Sequence, residues 1–270
     1  MIGIFDSGIG GLTVVKKFFD WFDKDNLSYR LLYFGDTART PYGNRGEEVI
    51  KQYALEDAKL LIERGAKIIV IACNTVSAIA TDYLKNNLSV PVFEVVSPAA
   101  QKAVAITRHN RIGILGTRAT INSKIYDHLI KQYAAKAHKK IGVFENSASL
   151  LVPLVEEGWL DTPETKRIIK KYLSPLKAAQ IDTLILACTH YPFLIKEIEA
   201  KLNKQVKLVD PALEVVLQVK EFLKNNSAIE QQLNHKSKHQ FLVSDLTNRV
   251  QNLAARWLGE KIKLEKVNLK

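Results

Sequence analysis

Short apolar runs rich in β-branched residues alternate along this chain with longer amphipathic stretches, and that alternation restricts the fold more than any other feature. It is the pattern of strands and helices taking turns around a parallel sheet, so the fold class is α/β. The sequence predicts strands at MIGIFDS, YRLLYFGD, AKIIVIACN, VPVFEVV, NRIGILGT, KKIGVFEN, DTLILACTH, QVKLVD and HQFLVSD. Helices are expected between them, at GLTVVKKFFDWF, EEVIKQYALEDAKLLIERG and PETKRIIKKYLSPLKAAQ among others. The second of these runs into Gly65, a natural helix C-cap.

A weak internal repeat organises the chain further. Apolar residues followed by Ala, Cys and two polar residues occur in IIVIACNT and again in TLILACTH. The strand-then-turn segment MIGIFDSGIGG is echoed by RIGILGTRATI, each a similar distance ahead of its cysteine. These echoes predict two similar α/β domains with mainly parallel sheets related by pseudo-symmetry. Breaks are read near Ser97-Pro98 and Asp210-Pro211. HQFLVSD reads as one more strand and LTNRVQNLAARWLG as a closing helix, both packing back on the first half. The expected division is therefore a discontinuous first domain, 1–97 with 210–270, and a second over 98–209. Ligands of such sheets bind outside the carboxyl ends of the strands, where both cysteines stand, so the active site is expected in the cleft between the domains.

Bulk properties narrow the class. A chain of 270 residues with 47% hydrophobic content has room for two cores. No apolar run approaches the ~20 residues of a membrane span, and MIGIFDSGIGG has no basic-then-apolar leader pattern. The expectation is a soluble cytoplasmic protein without a membrane partner. Its two cysteines, Cys73 and Cys188, would stay reduced there. Lys and Arg outnumber Asp and Glu by 39 to 28, which favours an anionic partner. The charge is spread along helical stretches without an aromatic-interleaved basic block, so a solvated basic surface is read and no nucleic acid is expected.

A lone thiol after an apolar strand is ordinarily a small buried hydrophobe. Two in matched contexts, IACNTVSA and LACTHYP, point to chemistry instead, with Asn74, Thr75, Thr189 and His190 placed to hold an anion or orient a carboxylate. Opposed thiols suit racemisation at an acidic carbon, one removing the α-proton while the other delivers a proton to the opposite face. Cationic groups or a helix N-terminus bring a cysteine toward thiolate, and His190, two residues past Cys188, shares its strand face if the strand persists. A structural zinc wants four ligands where only Cys188 and His190 are close, and the C-x-x-C of redox proteins is absent, so no metal is assigned. A Cys188/His190 hydrolase stays open but leaves Cys73 unused. FDSGIGG puts Asp6 and Ser7 at a Gly-rich turn. It does not satisfy G-x-G-x-x-G, and no nucleotide is assigned. Read alone, DTARTPYGNR is a polar loop holding Asp36, Tyr42 and Gly43, LVPLVEEGWL an ordinary helix with a solvated Glu156-Glu157 pair, and Thr117 and Thr120 of GTRAT a helix cap.

Taken in order along essentially the whole chain, FDSGIGGL, DTARTPYG, ACNT, LGTRAT, LVPLVEEG and ACTHYP resemble the glutamate racemases of the aspartate/glutamate racemase superfamily. The resemblance implies cofactor-independent interconversion of L- and D-glutamate, supplying D-glutamate for bacterial peptidoglycan. It implies that Cys73 takes the proton from the D-enantiomer and Cys188 from the L-enantiomer, assisted by Asp6, His190 and Glu156. Substrate would be held through Asp6, Ser7, Tyr42, Gly43, Asn74, Thr75, Thr189 and His190, its side-chain carboxylate at the Tyr42-Gly43 loop, with hydroxyls from Thr117 and Thr120. A homodimer is implied. Ala148-Ser149 stands where many relatives carry Cys-Pro, and FLVSD departs from the usual last strand, which leaves the surroundings of Glu156 less defined. The short segment before Asp6 argues against regulation by a cell-wall precursor. Aspartate racemisation is the rival activity, and a binding module recruited through the positive charge is the rival class.

Overall fold

The computed structural model describes residues 1–27, 29–202, 204–233, 238–259 and 262–269. They form two compact units, Met1–Val95 with Val215–Lys270, and Val96–Glu214.

In the first unit six parallel strands lie in the order β10-β9-β2-β1-β3-β4, with β1 at Ile2–Asp6, β2 at Leu31–Gly35, β3 at Ile68–Ile71, β4 at Val92–Glu94, β9 at Gln240–Val243 and β10 at Leu264–Lys266. All five residues of β1 are buried, because helices cover a parallel sheet on both faces. The helix Leu12–Asp25 buries Leu12, Val15, Phe18 and Phe22, a stripe at helical spacing, and ends where Asn26 turns left-handed. The helix Glu47–Glu63 buries Ile50, Ala54, Asp57, Ala58 and Leu61, a stripe interrupted by one carboxyl. Past it Gly65 takes the positive φ of a helix terminator. The carboxyl ends of neighbouring strands are tied together: Asp36 N donates to Asp6 O, Ala72 N to Phe5 O and Ser244 N to Gly35 O.

In the second unit β5 (Arg111–Gly116), β6 (Gly142–Ser147), β7 (Thr183–Ala187) and β8 (Lys207–Val209) form a parallel sheet in the order β6-β5-β7-β8. This repeats β2-β1-β3-β4 strand for strand, so the sequence echoes have a structural counterpart: β1 corresponds to β5, and β3 to β7. In each sheet the chain reverses its direction of travel between the first and third strands of the repeat, the place where the carboxyl ends open into a crevice. Asp6 and Cys73 flank that point in one unit, Gly116 and Cys188 in the other.

All nine strands expected from sequence form, each shorter than its apolar run. A tenth, β10, pairs in parallel with β9 through Leu264↔Phe241 and was not anticipated, since LEK lacks a strand's apolar signature. Two expectations about strand ends need correction. β3 stops at Ile71 and β7 at Ala187, so neither cysteine is in a strand. Cys73 becomes the N-cap of the helix Asn74–Asn87. Cys188 opens a turn leading to the 3-10 helix Tyr191–Leu194.

Candidate active site

In the first unit, Cys73 Sγ lies 3.4 Å from Ser7 Oγ, which joins the Gly-rich turn after β1 to the end of β3. Asp6 is buried and its Oδ2 accepts from Gly8 N at 3.1 Å, an Asx turn that shapes the loop. Gly11 is required here, because a Cβ on it would sit 2.6 Å from the Cβ of Asp6. The loop is fixed from below by Tyr33, whose hydroxyl donates to Gly8 O at 2.7 Å. Burial first, then the negative charge of Asp6 and Cys73, keeps that phenol protonated well above its ordinary range. Cys73, Asn74 and Thr75 are nearly enclosed at the start of a 14-residue helix, where N–H groups and the macrodipole favour negative charge.

In the second unit the neighbour of the cysteine sulfur is an imidazole. Cys188 Sγ is 3.8 Å from His190 Nδ1, and His190 Nε2 is 3.2 Å from Glu156 Oε1. His190 reaches the sulfur through the turn after β7 and not by sharing a strand face, which corrects the sequence reading. Thr189 Oγ1 lies 3.4 Å from the same Nδ1. Glu156 ends the helix Leu151–Glu156 and is drawn to the imidazole, so it is not a solvated partner of Glu157. The floor beneath is Tyr191, fully buried, with its hydroxyl 3.1 Å from Gly116 O and 2.9 Å from Ala148 O. Ala148 therefore meets this floor through its backbone, which the departure at 148 leaves intact. Thr117 caps the helix Arg118–Asn122 by accepting from Thr120 N, so its hydroxyl has a structural use.

Burial disfavours a charged His190, but the hydrogen bonds to Cys188 and Glu156 outweigh it and push its pKa up to about 10 from 6.5. Folded protein thus holds this proton more tightly than unfolded chain. The resulting stability is complete below pH 6.5 and is lost as pH rises toward 10. Urea unfolding across that window should show wild-type stability falling with pH, and His190→Gln should flatten the decline. Equal slopes for the two proteins would show that His190 carries no such proton.

Tyr42 and Gly43 open a short 3-10 turn after β2, but the Tyr42 side chain is buried and its hydroxyl points into a polar cluster with Asp36 and Asp57. Of the residues expected at the Tyr42-Gly43 loop, only backbone remains for a ligand. A surface cavity of about 720 Å³ in the second unit lies at the opposite, amino-terminal ends of β5 and β7, lined by Arg108, Lys177 and Lys207, and contains none of the site residues. Among the described residues no group of three or more His, Cys, Asp or Glu is arranged to hold a metal, and no helix is long and apolar enough to cross a membrane.

Comparison with known proteins decides the family. Residues 10–219 match the model of the Asp/Glu/hydantoin racemases. The chain belongs to that family. Like its relatives it is an amino-acid racemase. It is 40% identical to a glutamate racemase of Geobacter metallireducens over 97% of this chain and 93% of the relative. A glutamate racemase isoform of Bacillus anthracis superposes with a TM-score of 0.92 at 32% identity, covering 100% of this chain and 97% of that one. The Francisella tularensis glutamate racemase, solved in complex with D-glutamate, gives 0.87 at 35% identity over 99% and 97%. Both structures share the two-parallel-sheet α/β architecture read from the sequence of this racemase.

Sequence reasoning missed the cluster beneath the Tyr42-Gly43 turn, made by Asp36, Arg39, Asp57 and Ser244. The one available signal was Asp57 standing on the apolar stripe of its helix.

Proposed function

We propose that this racemase interconverts L- and D-glutamate through two thiols and without a cofactor. The observation that carries the reading is the repeat: each unit has one cysteine within two residues of the end of the third strand of the same four-strand order, beside a hydrogen-bonding neighbour. The named relatives, glutamate racemases at 32–40% identity across nearly the whole chain, support glutamate as substrate. Cys73, as thiolate, takes the α-proton of D-glutamate while the Cys188 thiol gives its proton to the opposite face of Cα, and the roles reverse for L-glutamate. Atoms balance, since one S–H is consumed and one is formed in each turnover. Asp6 and Ser7 serve the first thiol, and His190 with Glu156 the second. With both nitrogens protonated, His190 donates toward sulfur and toward Glu156 at once. The α-amino and α-carboxylate groups are assigned to Asp6, Ser7, Asn74, Thr75, Thr189 and His190. The side-chain carboxylate is assigned to the backbone N–H groups at Tyr42 and Gly43. The biological role assigned is D-glutamate supply for peptidoglycan, by a cytoplasmic homodimer.

Proton NMR of L- and D-glutamate in D2O with purified protein and nothing else added tests this. Deuterium entering Cα from both enantiomers, with inversion, is the expected result. Exchange of aspartate without exchange of glutamate would move the substrate to the shorter acid. Inertness toward both would overturn the reading.

A further inference from the structure

In the buried cluster under the Tyr42-Gly43 turn one contact, that of Tyr42 with Asp57, is left without a hydrogen if every carboxyl is ionised. Asp36 Oδ2 receives Arg39 Nε at 2.5 Å and the Tyr42 hydroxyl, and Asp36 Oδ1 receives the Ser244 hydroxyl at 2.7 Å. Ser244 has no freedom in this, because its oxygen already accepts from Ala38 N at 2.8 Å. Arg39 also donates Nη2 to Asp57 Oδ1 at 2.9 Å and Nη1 to Glu56, while stacking 3.9 Å above the Tyr53 ring. The Tyr42 oxygen lies 3.1 Å from Asp57 Oδ2 as well. A phenol has one hydrogen, and Asp36 takes it. The contact between Tyr42 and Asp57 is a hydrogen bond only if Asp57 supplies the proton.

We propose that Asp57 is a positioning residue that stays protonated and donates to the Tyr42 phenol, so that an ordered chain, Asp57 to Tyr42 to Asp36, fixes the turn whose backbone meets the substrate's side-chain carboxylate. Charge counting agrees: Asp36, Glu56 and Asp57 share the single guanidinium of Arg39, and two of them, Asp36 and Asp57, are wholly buried. Burial and the neighbouring Asp36 push the Asp57 carboxyl well above the ordinary range, against the opposing pull of Arg39. A buried carboxyl kept neutral to donate a hydrogen bond costs less than a third charge beside one cation. The same geometry explains why the Tyr42 hydroxyl is not available to substrate.

The functional half of this inference rests on the racemase reading, and the protonation half does not. The test therefore has two arms on the whole protein. In the first, difference infrared spectra at neutral pH compare wild type with Asp57→Asn. A protonated-carboxyl band that disappears in the variant is expected, and its absence from wild type, or its persistence in Asp57→Asn, would overturn the proposal. In the second, steady-state kinetics with glutamate compare Asp57→Leu, Asp57→Asn and Tyr42→Phe. Leu and Phe should raise KM roughly tenfold with kcat little changed, and Asn, which keeps a donor toward the phenol, should recover most of that loss. Tyr42→Phe covers the case in which Asp57→Leu does not fold. An unchanged KM in Tyr42→Phe, or an Asn variant as impaired as Leu, would overturn it. Wild-type protein inert toward acidic amino acids would count against the racemase reading alone, with the infrared arm still deciding the state of Asp57.

Discussion

Replacing either Cys73 or Cys188 by serine is expected to lower racemisation of both glutamate enantiomers by roughly 10²–10⁴-fold, the range over which a positioned acid or base contributes. Serine keeps the size of the side chain but not its acidity, so folding should be unaffected and the proton transfer lost. Both directions fail together because each turnover uses one group as base and the other as acid. The variants differ in what survives. With Cys188→Ser the remaining Cys73 still reaches the α-proton of D-glutamate, and slow deuterium wash-in at Cα with retained configuration is expected from that enantiomer. Cys73→Ser should show the mirror result with L-glutamate. NMR of recovered substrate together with polarimetry separates these outcomes. Wash-in from the opposite enantiomer in each case would exchange the two assignments, and full activity in either variant would sink the two-thiol mechanism.

The second large effect concerns a residue with no chemistry. Gly35 ends β2, and a Cβ there would lie 2.3 Å from the carbonyl oxygen of Gly8. That carbonyl cannot retreat cheaply, since it is held by the Tyr33 hydroxyl at 2.7 Å. The close approach is backbone against backbone, so no rotamer change relieves it. Gly35→Ala is expected to cost about 3 kcal/mol or more in urea unfolding, at the upper end of overpacking effects. It should also displace the Ser7-Gly8 turn from Cys73 and lower turnover in whatever fraction remains folded. Gly46→Ser is the control: nothing lies within 4 Å of its added Cβ, and it stands at the N-cap of the helix Glu47–Glu63. Serine there should be neutral or stabilising within about 1 kcal/mol. Equal stability of the Gly35 and Gly46 variants would show that the turn after β1 yields more readily than its contacts imply.

These two predictions come from different levels of the molecule. The cysteines could be picked out before any coordinates, because a repeated strand ending in Ala-Cys and two polar residues is a local pattern. The alternation of strands and helices was equally local, since side-chain periodicity is fixed by backbone geometry. Gly65 beyond the helix Glu47–Glu63 and the threonine at 117 before Arg118–Asn122 follow from capping chemistry confined to a few neighbouring residues.

What only the tertiary structure decided is which distant residues meet. Ser7 reaches Cys73 because β1 and β3 are adjacent in a sheet whose strand order no local pattern prints. Glu156 turns to His190 across 34 positions, and Ser244 reaches Asp36 across 208, once β9 has taken its place beside β2. Strand ends also escaped the sequence, as at Cys188, where the ladder stops at Ala187, three residues before the end of the expected strand. The common cause is that periodicity records how a segment lies against a surface, whereas strand order and loop closure set which surface that is. Asp57 shows both sides at once: its place on an apolar helical stripe was written in the sequence, and the hydrogen it gives to Tyr42 was not.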